Sequence, residues 1–553
     1  MMTFMSFILP SKTWVYLITG MSVFASHCRV TPLPSKPVST DSAITAESSL
    51  TTSGAKTTTA STVPLKNMFG INSYEWDFLQ NPADPNNRTT IYETNMALIK
   101  SFSAVRHYMN WNKLENTEGN YTYDPTNDGS WDYDLIYTRC KQEGITVLAD
   151  LKNCPRWMLA SYPADQQDDE NAPLPYGADM SKPASYLAMA KVGFQFAARY
   201  GSNAAVDKSL VTVDSRPRWT NDRINVVKIG LNLVKYIECN NEPDRWWKGP
   251  QTTQTPEQYA ANLSAFYDGD KGKLGKNAGV KTADPNMMVV MGGIATCDPN
   301  YVARIIAWCK TNRGTRADGS VDLCFDVVNY HYYSNNGSVI THRTASTGVA
   351  PELSDAGTIA DSFTKVAYQY HLPVWVTEAG YDINQGSYQK AIPIGTKSAL
   401  ITQADWILRT SLLYMRHHIA SVYFYQLFDA NPGYAGQYST SGLAENGQRR
   451  PAADYILQTT KLMGTYTYVK TISTNPLVDQ YQNGKKTMYV LTVPDQVGRT
   501  AAYTLDLGKT TLTANIYNPK VGADAMTKTT KVTLAGKVNV TVTETPMFIE
   551  SAQ

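Results

Sequence analysis

The feature that most constrains this chain is a regular alternation of short apolar runs with amphipathic stretches between residues 65 and 463. Continuous apolar runs are typical of buried parallel strands, because both faces of such a sheet are covered. Eight such runs are present, at 68–74, 104–111, 145–151, 234–240, 287–294, 326–332, 373–377 and 421–426. A stretch with helical periodicity follows each run, at 92–101, 133–143, 185–200, 256–267, 301–310, 359–370, 397–417 and 452–463.

Eight strand–helix units over roughly 400 residues predict an α/β fold, a (β/α)8 TIM barrel with long loops, over residues 65–463. The alternative is a doubly wound open sheet, whose first strand typically runs into a glycine-rich turn that binds phosphate. No such turn follows the run at 68–74, so the barrel is favoured.

The pattern changes after residue 464. Segments such as T-M-Y-V-L-T-V and V-N-V-T-V-T alternate apolar and polar residues, and N-G, L-G-K and A-G-K turns separate them. This alternation predicts a C-terminal antiparallel β-sandwich over residues 464–553. Such a domain would either brace the barrel or bind glycan.

The N-terminal segment predicts export. The apolar run at 14–25 is shorter than the roughly 20 residues of a membrane span and suits a signal peptide over residues 1–28. Cleavage after Ala25 is one interpretation, and a lipid anchor at Cys28 is the other. Residues 29–64 are rich in Ser, Thr and Pro and predict a flexible linker. We therefore expect a secreted, periplasmic or cell-surface protein.

Amino-acid composition limits the classes of molecule that this chain is expected to bind. Fifty Lys and Arg against 48 Asp and Glu give a formal charge of +2, which offers no bulk attraction to nucleic acid. Tyrosines outnumber phenylalanines, 35 to 14, as expected of a site for a hydroxyl-rich ligand, although an ordinary tyrosine-rich surface would look the same. No C-x-x-C or His-rich spacing indicates a metal site, so we expect no metal or other cofactor, and a monomer.

The cysteines leave the disulfide pattern open. Beyond Cys28 six remain, and six cysteines permit 15 pairings. Cys309, near a helix end, and Cys324, just before a strand, could meet at the bottom of the barrel. Buried free thiols are the alternative for the rest.

Two glutamates follow predicted strands at the barrel mouth. The fourth strand runs into C-N-N-E-P-D-R-W-W, which places Asn241 and Glu242 there, and the seventh ends in V-W-V-T-E-A-G, which places Glu378 there. Functional groups of such barrels lie at the C-terminal ends of the strands, and strands four and seven face each other across the ring. Two opposed carboxylates are the groups that glycosidic bond cleavage needs.

These strand ends resemble those of the clan A glycoside hydrolases, which are retaining (β/α)8 enzymes. The resemblance covers about residues 65–463 and implies that Glu242 is the acid/base, that Glu378 is the nucleophile and that Asn241 binds the sugar 2-hydroxyl. It further implies that Arg106, in A-V-R-H-Y-M-N-W, holds the nucleophile ionised. In H-Y-Y-S, Tyr333 would bond the nucleophile, and its neighbour His331 would line the substrate site.

Two strand ends depart from the clan. The third reads A-D-L-K-N, with Lys152 where some members carry His. The eighth reads Y-F-Y-Q-L-F-D and lacks the Trp that many members stack under the sugar. We expect Tyr425, Gln426 or Phe428 to cover that position.

Aromatic residues and long loops suggest a groove around these strand ends. Six rings fall at or just after predicted strand ends, where they could stack on sugars: Trp76, Trp111, Trp157, Trp246, Trp247 and Tyr381. Loops at 156–183, 334–358 and 382–395 would form its walls, which favours endo action or oligosaccharide binding.

The sequence therefore predicts a retaining β-glycoside hydrolase that cleaves a β-linked polysaccharide or oligosaccharide. Two alternatives stay open. One is a non-catalytic carbohydrate-binding protein on a degenerate barrel, suggested by the two altered strand ends. The other is an inverting hydrolase or lyase on the same scaffold. The separation of the carboxyl groups distinguishes inversion, at about 6.5–9.5 Å, from retention, at about 5–5.5 Å.

Overall fold

The computed structural model describes residues 62–217 and 223–552. The expected signal peptide, Cys28 and nearly all of the linker lie outside the described residues. Within the described part, no helix combines the length and apolar character that a membrane crossing requires.

The first unit is a barrel of eight parallel strands. They are β1 (Gly70–Ser73), β2 (Ala104–Asn110), β3 (Thr146–Lys152), β4 (Tyr236–Cys239), β5 (Met288–Met291), β6 (Val328–His331), β7 (Val374–Ala379) and β8 (Ser421–Phe424). Their order in the sheet is β5-β4-β3-β2-β1-β8-β7-β6. Parallel bridges Val290–Val327 and Ile294–Tyr330 join β5 to β6 and close the ring, so the predicted barrel is confirmed.

One principal helix follows each strand. These are α1 (Glu93–Ile99), α2 (Tyr133–Gln142), α3 (Leu187–Tyr200), α4 (Pro256–Asp268), α5 (Pro299–Asn312), α6 (Ala356–Tyr368), α7 (Ala399–Arg416) and α8 (Pro451–Met463). Short helices Glu75–Leu79, Trp111–Leu114, Arg156–Leu159 and Val280–Ala283 lie in the connections, as do 3-10 turns Ala164–Gln166, Pro183–Tyr186, Lys208–Leu210, Trp246–Lys248 and Pro351–Leu353, and a further 3-10 turn, Leu65–Met68, precedes β1. Two small hairpins pair Glu115–Thr117 with Asn120–Tyr121 and Ala444–Glu445 with Gln448–Arg449.

Local sequence explains where these helices begin and end, and α4 shows how. The Thr255 hydroxyl accepts from the Gln258 N–H while the Gln258 side chain accepts from the Thr255 N–H, which satisfies two free donors of the first turn. Pro256 occupies the first helical position, where its missing N–H costs nothing. Gly269, with φ of 65°, ends the helix in the left-handed conformation that glycine tolerates.

The barrel interior changes from apolar to polar toward the C-terminal ends of the strands. Its lower part is a cluster of buried apolar side chains that includes Ala104, Leu148 and Trp375. Two residues further along β2 and β3, Arg106 and Asp150 are fully buried. Since successive side chains of a strand alternate sides, this step of two keeps them inside the barrel. The polar layer therefore forms the floor of the mouth.

The second unit is an antiparallel β-sandwich. A six-stranded sheet has the order β9-β10-β11-β16-β13-β14, and β12 pairs with β15. The strands are β9 (Thr467–Thr474), β10 (Leu477–Asn483), β11 (Lys486–Thr492), β12 (Ala501–Asp506), β13 (Thr513–Asn518), β14 (Thr527–Val532), β15 (Lys537–Val542) and β16 (Met547–Ala552). The two sheets share an apolar core that includes Leu491, Leu505 and Val540. This confirms the predicted sandwich.

The described cysteines are buried free thiols. Cys309, in α5, and Cys324, shortly before β6, do meet, with their Sγ atoms 3.4 Å apart. The contact joins two thiols rather than a disulfide.

Candidate active site

Glu378 lies near the end of β7 and accepts three hydrogen bonds. Arg106 Nη1 donates to its Oε1 over 3.1 Å, Tyr333 donates to its Oε2 over 2.8 Å, and the Tyr108 hydroxyl donates to Oε1 as well. Burial raises the pKa of Glu378, but the nearby His331 and Arg106 outweigh burial and lower it to about 2. Glu378 is therefore an ionised carboxylate held in place by donors.

Glu242 lies three residues beyond β4, in the turn that follows the strand. The strand ends at Cys239 rather than at the predicted residue 240, and Asn240 and Glu242 adopt left-handed backbone, with φ of 66° and 45°. Asparagine enters this region comparatively easily, but a glutamate there is uncommon. This turn directs the Glu242 side chain over the mouth, where its Oε1 lies 3.0 Å from His331 Nδ1.

His331 connects the two glutamates. Its Nδ1 is also 3.6 Å from Glu378 Oε1, and its Nε2 is 3.0 Å from the Thr377 hydroxyl. Ligand atoms of Glu242, His331 and Glu378 all lie within 4.8 Å of one another. Burial lowers the pKa of His331, but the Glu378 charge and the contact with Glu242 outweigh burial and raise it. The negative charge of Glu378 thus favours the protonated form of the imidazole that lies between the two glutamates.

Arg106 organises the floor of the site. Its Nε and Nη2 bond both oxygens of Glu238 over 2.7 and 2.9 Å, and Nη2 also reaches Asp150 over 3.0 Å. The same Nη2 donates to Asn241 Oδ1 over 2.8 Å. Since Asn241 Oδ1 is engaged, its Nδ2 is the group left to donate to a ligand. The expected roles of Arg106 and Asn241 are compatible with these contacts.

Several residues around these groups were not predicted from the sequence: Tyr108, Asp150 and Glu238, together with Asn72, which accepts from Arg106 Nη1 over 3.1 Å, and Asn329, which donates to Glu238 over 3.0 Å. Some of them share a spacing with predicted residues, because Arg106 and Tyr108 on β2, and Asp150 and Lys152 on β3, are two apart. A search for polar residues in steps of two within apolar strands could have found them. Burial raises the pKa of Glu238 to about 7, despite its bonds to Arg106, and burial raises the pKa of Asp150 as well.

Tyrosines surround Glu378 near the eighth strand end, where the expected tryptophan is lacking. Tyr425, directly after β8, lies with its ring centroid 6.2 Å from Tyr108, and its hydroxyl is 3.4 Å from that of Tyr74. Gln426 is buried, and Phe428 packs against the core. Of the three candidates, Tyr425 is therefore the one that packs with Tyr74 and Tyr108, and these three rings form an aromatic wall of the site.

Of the six predicted stacking rings, three are exposed, two are buried and Trp157 is half-buried. Trp246, Trp247 and Trp76 are exposed by 61%, 51% and 40%. Trp111 and Tyr381 are each only 1% exposed, so these two expectations are wrong. Trp111 packs edge-on against the half-buried Trp157, and Tyr381 packs against Trp406 below the loop, so tertiary contacts already cover both rings.

Ion pairs flank two of the exposed tryptophans, Trp246 and Trp247, at the edge of the barrel mouth. Glu170, in the loop after β3, pairs with Lys248 and with Arg245 over 3.4 Å on either side of Trp246 and Trp247. Lys152, at the end of β3, is 4.0 Å from the same Glu170 and lies over the Tyr108 ring at 4.8 Å. Lys152, which stands where some clan members carry His, thus connects Glu170 beside the two tryptophans to the ring of Tyr108.

Within the described residues, Glu242, His331 and Glu378 form a group of three ligands close enough to hold a metal ion. The donor set favours a proton there instead. Glu378 already accepts three hydrogen bonds from cationic and phenolic donors, and both ring nitrogens of His331 have partners. The arrangement fits acid–base and nucleophilic chemistry.

No family model and no curated protein matches this sequence. Solved structures do resemble it. A family 39 glycoside hydrolase from the gut symbiont Bacteroides cellulosilyticus WH2 matches with a TM-score of 0.57 and 15% identity over 89% of this chain and 81% of that chain. A family 51 α-L-arabinofuranosidase from Bifidobacterium longum matches with 0.53 and 13% over 90% and 98%. A family 30 subfamily 8 xylanase from Clostridium acetobutylicum matches with 0.51 and 12% over 89% and 98%. At these identities the likeness shows a shared fold, and it confirms the resemblance in fold that the strand ends predicted.

Proposed function

We propose that this protein is a retaining β-glycoside hydrolase that cleaves a β-linked polysaccharide or oligosaccharide by double displacement. The approach of Glu242 and Glu378 carries this proposal, since an oxygen of one lies within 4.8 Å of an oxygen of the other. Retention requires carboxyl groups about 5–5.5 Å apart, whereas inversion leaves about 6.5–9.5 Å for a water molecule. The short separation supports direct attack on the sugar.

The names of the structural neighbours support the substrate class. They include xylanases and an α-L-arabinofuranosidase, which act on glycosidic bonds. Their low identity leaves the sugar and the linkage to experiment. Xylan, arabinoxylan and mixed-linkage β-glucan are the first polysaccharides to offer, with aryl β-xyloside, β-glucoside and α-L-arabinofuranoside as activated substrates.

In the first step Glu378 attacks the anomeric carbon. The bond between that carbon and the leaving oxygen breaks, and Glu242 gives its proton to that oxygen, so the alcohol leaves neutral. A sugar ester of Glu378 remains. In the second step Glu242 takes a proton from water, the water oxygen bonds to the anomeric carbon, and Glu378 leaves as a carboxylate. Two inversions give a product with retained configuration.

The surrounding donors suit the nucleophile to these steps. Arg106 and His331 provide positive charge beside Glu378, so the carboxylate is ionised before the sugar arrives. Tyr108 and Tyr333 orient its two oxygens. Arg106, His331 and Tyr108 are buried, and all four groups are in place before binding, so they need no reorganisation at the moment of reaction.

Replacing the nucleophile tests the assignment. We expect Glu378→Ala to lower turnover of an activated aryl glycoside by about 10⁴-fold or more, because no group remains to form the ester. External azide should fill the vacated space and restore a glycosyl azide of inverted configuration, which nuclear magnetic resonance identifies. Glu118→Gln removes an exposed carboxylate from the loop after β2 and should match the wild type.

The acid/base variant distinguishes the roles. Glu242→Ala should retain its first step on an aryl glycoside with a good leaving group, and azide should restore a product of retained configuration. Retained product from Glu378→Ala, or inverted product from Glu242→Ala, would reverse the assignment. A wild type that binds these glycans but releases no sugar would favour the non-catalytic alternative.

A further inference from the structure

The loop that follows β8 places another tyrosine, Tyr438, among the side chains that surround Glu378. The Tyr438 ring centroid lies 4.8 Å from Tyr333 and 6.3 Å from Tyr425. Tyr333 donates directly to the nucleophile. Tyr438 is 40% exposed, and its hydroxyl has no hydrogen-bond partner among the described residues. It is therefore both next to the nucleophile and open to a ligand.

Ring packing places Tyr438 one side chain away from Glu378, because Tyr438 packs against Tyr333 and Tyr333 bonds Glu378 directly. Partial burial raises the pKa of Tyr438, and the charges of Glu242 and Glu378 raise it further, so the hydroxyl is neutral. A neutral hydroxyl there can donate to, and accept from, a sugar hydroxyl.

A buried carboxylate holds Tyr438 in this position. Tyr438 has a φ of 67°, which is uncommon for a bulky residue. Asp382, just beyond β7 and 1% exposed, accepts from the Tyr438 N–H over 2.9 Å and from the Thr440 N–H over 2.9 Å. The Ser387 hydroxyl also donates to Asp382, over 2.6 Å. These bonds oppose the cost of the unusual backbone, so the placement of the ring is built into the loop.

We propose that Tyr438 is a substrate-contacting, specificity-determining residue that forms one wall of the subsite for the sugar attacked by Glu378, and that its hydroxyl hydrogen-bonds that sugar. Asp382 is its positioning residue. This inference rests on the proposed function, since it names a contact of the same site. The ligand class is a neutral sugar ring with a free hydroxyl on the side of the loop after β8.

Paired variants separate the hydroxyl from the ring. Tyr438→Phe keeps the contact with Tyr333 and removes the hydroxyl, whereas Tyr438→Ala removes both. We expect Tyr438→Phe to lower kcat/KM on the preferred aryl glycoside by about 3- to 10-fold, the effect of one hydrogen bond. Tyr438→Ala should lose more. Tyr434→Phe and Tyr434→Ala, in the same loop and 51% exposed, serve as controls and should match the wild type.

Asp382→Asn tests the positioning role. It keeps the size of the side chain but cannot accept from both backbone N–H groups as the carboxylate does. We expect it to lower kcat/KM as Tyr438→Ala does, and adding Tyr438→Phe should then cause little further loss, because the hydroxyl is already misplaced. Fully multiplicative losses would refute the coupling. Thermal melting of each variant identifies any general loss of folding.

Calorimetric binding of xylohexaose and cellohexaose keeps the two proposals distinct. If the wild type hydrolyses nothing but binds an oligosaccharide more tightly than Tyr438→Ala does, the subsite stands and the catalytic proposal falls. If Tyr438→Phe and Tyr438→Ala both match the wild type in binding and in kcat/KM, the role of Tyr438 is overturned, even where Glu378→Ala abolishes turnover.

Discussion

At the scale of single residues, the site is organised by charges that share a small buried space. Arg106 is fully buried and contacts Asp150, Glu238 and Glu378, so one guanidinium faces three carboxyl groups. An unpaired buried charge is costly, and a single positive charge does not balance three negative ones. The raised pKa of Glu238 and the raised pKa of His331 both reduce that imbalance. The charge balance of the floor therefore depends on which of these side chains carry a proton.

The charge of His331 can be tested through the pH dependence of activity. His331 is the group that most lowers the pKa of Glu378. Replacing it in His331→Asn should raise that pKa, so Glu378 becomes protonated at a higher pH. We expect the acid limb of the kcat/KM profile to move upward by about one pH unit. His417→Asn, which removes a histidine paired with Asp361 far from the site in sequence, is the control. An unchanged acid limb would contradict this account.

At the scale of elements, the end of β5 lets its neighbours approach closely. Gly292 and Gly293 follow the strand directly, and their N–H groups donate to Tyr259 and Glu238. A Cβ on Gly293 would lie 2.0 Å from His331 Nε2. His331 has little room to yield, because Thr377 and Glu242 hold its ring from both nitrogens. Because Gly293 has no side chain, the His331 ring can occupy the space next to it and reach both glutamates.

Gly293→Ala tests this dependence. The added methyl group should displace His331 and disturb both glutamates, so we expect kcat/KM to fall by about 10- to 100-fold. Overpacking should also lower the free energy of unfolding by about 1–3 kcal/mol. Gly433→Ala is a matched control, since its Cβ would meet only Asn431 Oδ1, at 3.8 Å. Wild-type kinetics in Gly293→Ala would show that His331 tolerates displacement.

At the scale of the whole molecule, the sandwich is packed onto the barrel rather than tethered beside it. Tyr481, Met488 and Phe548 of the six-stranded sheet belong to the same buried core as the barrel helices. Arg416, the last residue of α7, pairs with Asp479 of β10 over 2.6 Å, and the side chain of Asp479 is only 2% exposed. These contacts support a bracing role for the sandwich.

Breaking that pair should destabilise both units together. Asp479→Ala leaves the largely buried Arg416 with only its longer contact to Glu352, at 3.8 Å, and we expect the free energy of unfolding to fall by about 1–3 kcal/mol. Calorimetry should show one transition that moves as a whole to lower temperature. Asp524→Asn removes an exposed partner of Arg449 at the same boundary and should change the melting temperature little. Two separated transitions, with only one affected, would show that the units unfold independently.

Local patterns were enough to predict part of the site. Glu242 and Glu378 directly follow or end predicted apolar strands, so strand order alone brings them to one end of the barrel. The resemblance to the clan, rather than strand order, implied Arg106, His331 and Tyr333. Tyr108, Asp150 and Glu238 were missed because they lie inside the strands, where the apolar runs obscured the alternation of sides. Tyr438 was missed because its place depends on Asp382, 56 residues earlier in the chain.

The sequence by itself determined the repeated strand–helix order, the sandwich and the strand ends that carry the two glutamates, because periodicity and strand order are properties of neighbouring residues. The tertiary structure alone decided that Trp111 and Tyr381 are buried, that Tyr425 and Tyr438 stand beside Glu378, and that His331 lies between both carboxylates. Those outcomes depend on loops packing against each other over long separations. In those loops, the burial and the charge of a side chain depend on which distant residues the closed barrel brings next to it.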